Sequence, residues 1–329
     1  MQSHSIFKRT LLATAAVVTL AAQAGEVEVL HYWTSGGEAK SAAALKATLQ
    51  SKGHVWKDFA VAGGGGDNAM TVLKSRVVSG NAPAAAQIKG PALQEWAGEG
   101  VLANIDDVAK AEKWDSLLPP VVANVMKYKG NYIAAPVNVH RVNWLWASNA
   151  AFKKAGAKVP TNWDEFFVAA EALKKAGIIP VAHGGQNWQD FTTFESVALG
   201  VGGADFYKKA LVQLDATALN SETMTKVLDT FKKVKTYTDK NAPGRDWNLA
   251  TAMVIKGEAG MQLMGDWAKG EFVAAGKKPG ADFSCVAAPG TAKSFTFNVD
   301  SFAMFKLKDD ANTKAQKDLA SAIMSTDFQ

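Results

Sequence analysis

Residues 26–37, EVEVLHYWTSGG, form the first regular stretch of the sequence and decide its fold class. Apolar and polar residues alternate over residues 26–33, which predicts a β-strand that ends in a Gly-containing turn. An Ala- and Lys-rich stretch predicts a helix over residues 38–51, and residues 55–62 read as a second strand. A further helix is predicted to begin at Asp67. Strand–helix–strand–helix order predicts an α/β sheet with parallel strands.

The same alternation continues along the rest of the chain. Short β-rich or apolar runs predict strands at residues 132–139, 178–182, 260–264 and 295–305. The first of these runs is interrupted by Pro136, and the last is a strand pair or one long strand. Helix starts are predicted at residues 160–164 and at Ser221, and a last helix is predicted over residues 312–324. We therefore expect more than one sheet, because a chain of 329 residues is too long for one ordinary core.

Polar and aromatic residues follow directly after the predicted strands. Ligands of open parallel sheets bind beyond the carboxyl ends of the strands, so these residues are expected to share one pocket. Indole faces and hydrogen-bonding carboxylates or amides suit a sugar, which presents flat C–H faces and many hydroxyls. The residues in question are Trp33, Glu38, Gln87, Lys89, Asn138, His140, Asn187, Trp188, Asp266, Trp267 and Asp300.

The N-terminus has the composition of an export signal. Lys8 and Arg9 precede an apolar run over residues 11–22, and Ala22 and Ala24 supply the small residues of a cleavage site. The run is shorter than the ~20 residues that span a bilayer. Residues 1–24 are therefore interpreted as a signal peptide, the alternative being a buried N-terminal helix.

Charge, cysteine and motif content exclude several classes of function. Without the predicted signal the chain has 34 basic and 31 acidic residues, and its lysines are scattered, so no nucleic acid partner is expected. The single cysteine, Cys285, cannot form an intrachain disulfide. The glycine run at residues 63–66 lacks the Gly-Lys-Ser/Thr ending of a phosphate-binding loop. The histidines have no metal-ligand spacing, so we expect neither cofactor nor metal.

Six segments spread along the chain together resemble one protein family. The sequence is similar to bacterial extracellular (periplasmic) sugar-binding proteins of ABC importers, and most similar to the glucose/mannose-binding proteins. The resembling segments are residues 31–38, 63–68, 136–141, 195–199, 264–268 and 300–302. The resemblance implies a two-lobed, type II-like periplasmic-binding-protein fold. Each α/β lobe would have a mostly parallel sheet flanked by helices, with the sugar between the lobes.

The resemblance also implies how the chain is divided and what it does. The first lobe would comprise residues 25–136 plus 287–329, and the second lobe residues 137–286. The protein would be a periplasmic monomer, not an enzyme. It would capture a monosaccharide (glucose, or mannose or galactose) by hinge closure and deliver it to an ABC permease of the inner membrane.

Eight residues match the sugar contacts of the family. In the first lobe, Trp33 would stack on the sugar, Glu38 would accept hydroxyl hydrogen bonds, and the loop of Gln87 and Lys89 would contact hydroxyls. Asn138 would contribute an amide beside the first hinge crossing. The remaining three matches are two aromatic walls of the second lobe and a carboxylate on the returning strand: Trp247, Trp267 and Asp300.

The sequence departs from the family at its C-terminal end. A lysine and a histidine that contact sugar in the family would lie beyond Gln329, and the sequence stops shortly after the last predicted helix. A C-terminal part of the fold is therefore expected to be missing, and the pocket is expected to be incomplete.

Other interpretations of these residues remain open at this point. Trp33, Trp247 and Trp267 could be core aromatics, and Glu38 could be a carboxylate that only favours a helix N-terminus. Glu38 and Asp300 could instead be the carboxylate pair of a secreted glycosidase. A binder of amino acids or peptides would need an arginine for the ligand carboxylate, and Arg141 is the candidate.

Overall fold

A computed structural model describes residues 24–329 of the chain. The predicted signal peptide at residues 1–24 lies outside the described residues except for Ala24. The first part of the chain contains β1 (Glu26–His31), α1 (Gly36–Ser51), β2 (Val55–Ala60), α2 (Asp67–Val78), β3 (Ala85–Lys89), α3 (Ala92–Gly98), α4 (Asp106–Ala111), α5 (Trp114–Leu117), α6 (Pro120–Val125), β4 (Lys127–Tyr128), β5 (Asn131–Tyr132) and β6 (Ala134–Pro136).

The middle of the chain forms a second group of elements, and the last part returns to the first. The second group contains β7 (His140–Arg141), β8 (Trp144–Ser148), α7 (Asn149–Ala155), α8 (Trp163–Lys175), β9 (Ile179–Val181), α9 (Asn187–Tyr207), a π-helical turn (Lys208–Val212), α10 (Ala216–Leu219), α11 (Glu222–Lys235), α12 (Trp247–Lys256), β10 (Ala259–Met264), α13 (Ala268–Ala274) and β11 (Phe283–Ala287). The returning elements are β12 (Phe297–Asn298), β13 (Asp300–Met304) and α14 (Asp310–Ile323).

The first sheet has the strand order β2-β1-β3-β13-β6. β1 pairs in parallel with β2 and with β3, as the strand–helix–strand–helix order of the sequence predicts. β13 comes from the far end of the chain and runs antiparallel to both β3 and β6. Its register places Asp300 opposite Lys89, so two residues 211 positions apart in sequence meet at one end of the sheet.

The second sheet has the order β11-β8-β10-β9, and helices cover both of its faces. β8 runs antiparallel to β10 and β11, whereas β9 and β10 are parallel. Side chains alternate across a strand, so Leu145 and Ala147 enter one apolar core while Trp146 enters another on the opposite face. Each sheet therefore contains one strand that runs opposite to the others, β13 in the first and β8 in the second. The α/β class is confirmed, but the sheets are mixed and not mostly parallel, because the opposed strand lies inside each sheet and forms two antiparallel pairs.

A short ribbon connects the two sheets. After β6 leaves the first sheet, β7 pairs antiparallel with β12, which lies just before the returning strand β13. The pairs are Arg141 with Phe297 and His140 with Asn298. The chain therefore crosses between the sheets twice along this ribbon, and its residues belong to both sides of the gap between the lobes.

Capping residues begin the helices where the sequence predicts them. The Ser221 hydroxyl accepts a hydrogen bond from the backbone N–H of Met224, and the Asn162 side chain accepts one from the N–H of Glu165. The strand-like run predicted over residues 132–139 is interrupted as expected, since β6 ends at Pro136 and the chain then leads to the hinge ribbon. No helix among the described residues is long and apolar enough to cross a bilayer.

Candidate ligand-binding cleft

Two adjoining cavities lie between the lobes. The larger has a volume of about 810 Å³ and the smaller about 300 Å³, and both are lined by Glu38, His140 and Trp267. Glu38 belongs to the first turn of α1 in the first lobe, whereas Trp267 immediately precedes α13 in the second lobe. The two cavities therefore form one cleft with walls from both lobes.

Seven of the eight predicted site residues line this cleft. Trp33 and Asn138 face the larger cavity, and Lys89, Trp247 and Asp300 face the smaller one. Glu38 and Trp267 line both cavities. The structure thus brings together residues that lie up to 267 positions apart in sequence, from Trp33 to Asp300.

Gln87 is the predicted residue that the structure keeps out of the cleft. Its side chain is fully buried in β3, where its Oε1 accepts a hydrogen bond of 3.2 Å from the backbone N–H of Tyr32. The expected contact between Gln87 and ligand hydroxyls is therefore corrected: the amide supports the loop after β1. Side chains alternate along β3, so Lys89 and Gln87 share a face, but only the strand end reaches the opening.

Trp33 and Asn138 have structural contacts as well as a place on the wall. The Trp33 indole packs edge-on against Phe302, with ring centroids 6.0 Å apart, and is largely buried. The Asn138 Oδ1 accepts a long hydrogen bond of 3.4 Å from the backbone N–H of Asp300. Both residues therefore fix the edge of the first sheet beside the larger cavity.

Asp300 is the most connected carboxylate of the first wall. It accepts a hydrogen bond of 3.1 Å from the Tyr32 hydroxyl, and its other oxygen lies 3.2 Å from His140 Nε2. Burial alone would raise its pKa, but the hydrogen bond and charge of His140, with a contribution from Lys89, hold the pKa below its usual value. Asp300 is therefore a buried carboxylate that stays ionised.

His140 links this carboxylate to the second lobe. Its Nδ1 lies 2.5 Å from Asp266 Oδ1, so the ring stands between Asp266 and Asp300. Desolvation lowers the pKa of His140, but the hydrogen bonds to Asp266 and Asp300 outweigh it and raise the pKa to about 9. At neutral pH the ring is an imidazolium that donates one N–H to each carboxylate, which joins the hinge ribbon to both walls.

Glu38 has a weaker preference for the charged form. Its Oε2 accepts a hydrogen bond of 2.9 Å from the Ser35 hydroxyl. Burial raises the pKa of the Glu38 carboxyl to about 7, although the Ser35 hydrogen bond opposes this shift. Near neutral pH this side chain can both donate and accept hydrogen bonds, which is useful toward a hydroxylated ligand.

Three indoles form the aromatic wall of the second lobe. Trp267 lies edge-on to the His140 ring at 5.1 Å and is tilted against Trp188 at 6.1 Å. Trp188 is oriented by the hydrogen bond that its Nε1 donates to Gln186 Oε1. Trp247, at the start of α12, lines the smaller cavity but is only 3% exposed.

Glu195 lines the smaller cavity from α9. Its Oε2 accepts a hydrogen bond of 2.7 Å from the Tyr207 hydroxyl. Burial raises the pKa of the Glu195 carboxyl to about 7, while the Tyr207 hydrogen bond and the charge of Lys89 pull it down. The smaller cavity is thus bordered by Lys89 in one lobe and a buried carboxyl in the other.

Four residues of the cleft are not among the eight residues to which the resemblance assigns a sugar contact: Tyr32, His140, Trp188 and Glu195. The first three follow strands, so their position was a usable signal, and His140 and Trp188 were recognised as polar or aromatic residues after predicted strands. Glu195 belongs to residues 195–199, one of the segments that resemble the family, but it lies inside a helix, where its spacing does not distinguish it from a surface carboxylate. Within residues 24–329, no cluster of three or more His, Cys, Asp or Glu side chains could hold a metal ion.

Two mixed α/β lobes, a two-strand ribbon between them and a polar, aromatic cleft define a binding protein that holds a small solute between its lobes. A family model described as bacterial extracellular solute-binding protein matches residues 33–324. The chain belongs to this family. It is a binding protein and not an enzyme, so the glycosidase interpretation of Glu38 and Asp300 is set aside.

Two relatives extend the match over most of the chain. The "Probable sugar-binding periplasmic protein" of Brucella suis is 52% identical over 334 residues, covering 99% of this chain and 79% of the relative. An "Uncharacterized ABC transporter extracellular-binding protein" of Pyrococcus horikoshii is 35% identical over 288 residues, covering 86% of this chain and 64% of the relative. The resemblance to bacterial periplasmic sugar-binding proteins is confirmed.

The fold is also similar to that of solved structures. A chitin oligosaccharide binding protein superposes with a TM-score of 0.78 at 19% identity, covering 93% of this chain and 78% of the other. At this identity the likeness concerns the fold alone. It confirms the two-lobed α/β architecture.

Proposed function

We propose that the protein captures a small sugar between its lobes and delivers it to an ABC permease in the inner membrane. The ligand class is a monosaccharide, glucose first, with mannose and galactose next. The protein works as a monomer in the periplasm. The sugar-binding and periplasmic names of the Brucella relative and the ABC transporter name of the Pyrococcus relative support this proposal.

The observation that carries the proposal is the composition of the cleft. Three indoles stand on one side, and Glu38, Lys89 and Asp300 stand on the other, with His140 between the two walls. A pyranose presents apolar faces and a rim of hydroxyls, so it can stack on indole while its rim exchanges hydrogen bonds with ionic side chains. The smaller cavity, at about 300 Å³, suits a ligand of monosaccharide size.

We assign roles to the cleft residues on the same grounds. Trp267 and Trp33 stack against or border the sugar ring, and Trp247 closes the wall behind it. Glu38 and Asp300 accept hydrogen bonds from hydroxyls, and Lys89 donates one. Asn138 is the amide beside the hinge.

The lobes divide at the ribbon. We propose residues 25–136 as the first segment of one lobe and 137–286 as the core of the other. The return to the first lobe follows after residue 287, because Ala288 still packs in the core of the second sheet. Sugar binding then shifts an equilibrium between open and closed arrangements of the lobes, because only the closed form gives the ligand both walls.

A binder of amino acids or peptides is not favoured by the position of Arg141. Its guanidinium lies over the Trp144 ring at 4.1 Å and near Phe295 at 5.7 Å. Arg141 lines neither cavity of the cleft. A ligand carboxylate in the cleft would therefore not meet this arginine.

The proposal is tested by removing single indoles. Trp33→Ala and Trp267→Ala should each weaken sugar binding by at least ~1 kcal/mol, through loss of stacking area. Trp96→Phe, which alters an indole packed on Phe305 away from the cleft, should bind as the wild type does. Wild-type affinity in both alanine variants would contradict the assigned pocket, and release of product from an aryl glycoside would contradict a pure binding function.

A further inference from the structure

The glycine run at residues 63–66 connects β2 to α2 and faces the second lobe. Gly63, Gly65 and Gly66 have positive φ values of 125°, 94° and 91°, so their backbone conformation favours glycine. Gly64 is not among the residues with positive φ, so its backbone conformation does not require glycine. Another feature must account for the missing side chain at this position.

That feature is the closeness of two indoles from the opposite lobe. A Cβ on Gly64 would lie 2.8 Å from Trp247 Cδ1 and 3.1 Å from Trp188 Cζ2. A Cβ on Gly65 would lie 2.5 Å from Trp188 Cγ. Trp247 is buried in the second lobe and Trp188 is held by Gln186, so neither ring can turn aside without loss of packing or of a hydrogen bond.

A second close approach occurs between α1 and α13. A Cβ on Gly37 would lie 3.2 Å from Gly270 Cα, and one on Gly270 would lie 3.4 Å from Gly37 Cα. The backbone N–H of Gly37 also donates a hydrogen bond of 3.2 Å to Glu271 Oε1. The lobes therefore touch at two places that line the two cavities, and both places use glycine backbone.

We infer that the loop of residues 63–66 is a closure surface that docks on Trp188 and Trp247, and that Gly64 is a positioning residue for ligand binding. Gly64 lines neither cavity, so its effect on affinity is exerted through lobe closure and not through contact with the ligand. The inference rests on the proposed function only for the identity of the ligand.

The first test measures sugar affinity by calorimetry. Gly64→Ala should weaken binding by about tenfold or more, and Gly64→Val further, because a side chain wedged against the indoles resists closure. Gly98→Ala is the matched control, since a Cβ there meets only the Tyr128 hydroxyl at 4.0 Å. The thermal midpoint of the ligand-free Gly64→Ala protein should equal that of the wild type, because the clash arises only on closure.

The second test needs no ligand. Lys40→Cys and Val273→Cys, in a Cys285→Ala background, place thiols at exposed positions of the facing helices α1 and α13, beside the glycine contact, and a disulfide between them is expected to form when the lobes are closed. Gly64→Ala should slow formation of this disulfide several-fold, and Gly98→Ala should not. If the wild type binds no sugar but the disulfide responds as expected, the proposed function fails while the closure surface stands.

A double-mutant cycle separates this contact from general damage. Trp188 is only partly buried, so Trp188→Ala should remain folded, and alone it should slow disulfide trapping by removing part of the docking surface. In the Trp188→Ala background, Gly64→Ala should reduce both sugar affinity and the rate of disulfide formation by less than it does in the wild type. Wild-type affinity and trapping in Gly64→Ala, or strictly additive effects with Trp188→Ala, would overturn the inference.

Discussion

Replacement of His140 by glutamine should destabilise the protein more at pH 7 than at pH 10. The ring lies between Asp266 and Asp300, with the charge of Glu38 nearby and Trp267 against its face. Only the imidazolium donates an N–H to both carboxylates. Glutamine preserves an amide that can donate hydrogen bonds, but it removes the positive charge at every pH.

The size of the effect follows from the pKa. A His140 pKa raised from 6.5 to about 9 means that the folded state binds the proton more tightly than the unfolded state. This stabilisation is fully present below pH 6.5 and is lost as the pH rises through 9. Between pH 7 and pH 10 the free energy of unfolding of the wild type should therefore fall on the order of 2–3 kcal/mol further than that of His140→Gln.

The assay is urea unfolding of both proteins, followed by tryptophan fluorescence at pH 7 and at pH 10. His183→Gln is the matched control, because desolvation holds the pKa of buried His183 below its usual value. His183 is therefore neutral in folded and unfolded protein above pH 7, and the cost of replacing it should not change between the two pH values. If His140→Gln lowered the free energy of unfolding equally at pH 7 and pH 10, the assignment of a charged His140 between Asp266 and Asp300 would be refuted.

Three further outcomes are expected. Because burial raises the pKa of Glu195 to about 7, the wild type should lose free energy of unfolding as the pH rises from 4.5 to 7. Glu195→Gln should lose less over this range, and unfolding of both proteins at pH 5 and 8 measures the difference. Ser221→Ala should lower the free energy of unfolding by about 1 kcal/mol through loss of the cap on α11, with sugar affinity unchanged in calorimetry. Asp300→Asn should weaken sugar binding by at least about tenfold and leave His140 less protonated at pH 8, which NMR titration of the ring would detect.

Local signals in the sequence predict much of the fold. The alternation before Trp33 predicts β1, and the capping side chains of Ser221 and Asn162 begin helices where expected. Pro136 indicates the interruption of the run over residues 132–139, but local pattern does not show that the chain there leaves one sheet and enters a hinge. The strand over β13 is predicted, but its antiparallel direction could not be deduced, since its partners lie far away in sequence.

The cleft was predictable to the extent that its residues follow strands. Lys89, Trp267 and Asp300 stand at strand ends and reach the opening, whereas Gln87, two residues before the end of β3, is covered. The role of Gly64 could not be deduced from sequence, because its reason is a close approach of the other lobe. Strand periodicity therefore identifies the loops that border the cleft. Which side chains contact each other across the cleft depends on how the two lobes close.

The most direct test of the proposed function is calorimetric titration of the protein with D-glucose, D-mannose, D-galactose and a disaccharide, alongside an amino acid mixture. We expect saturable one-site binding of at least one sugar and a weakened response in Trp267→Ala, because that indole lines both cavities of the cleft. No heat with any sugar, or saturable binding of an amino acid instead, would contradict sugar capture by this cleft.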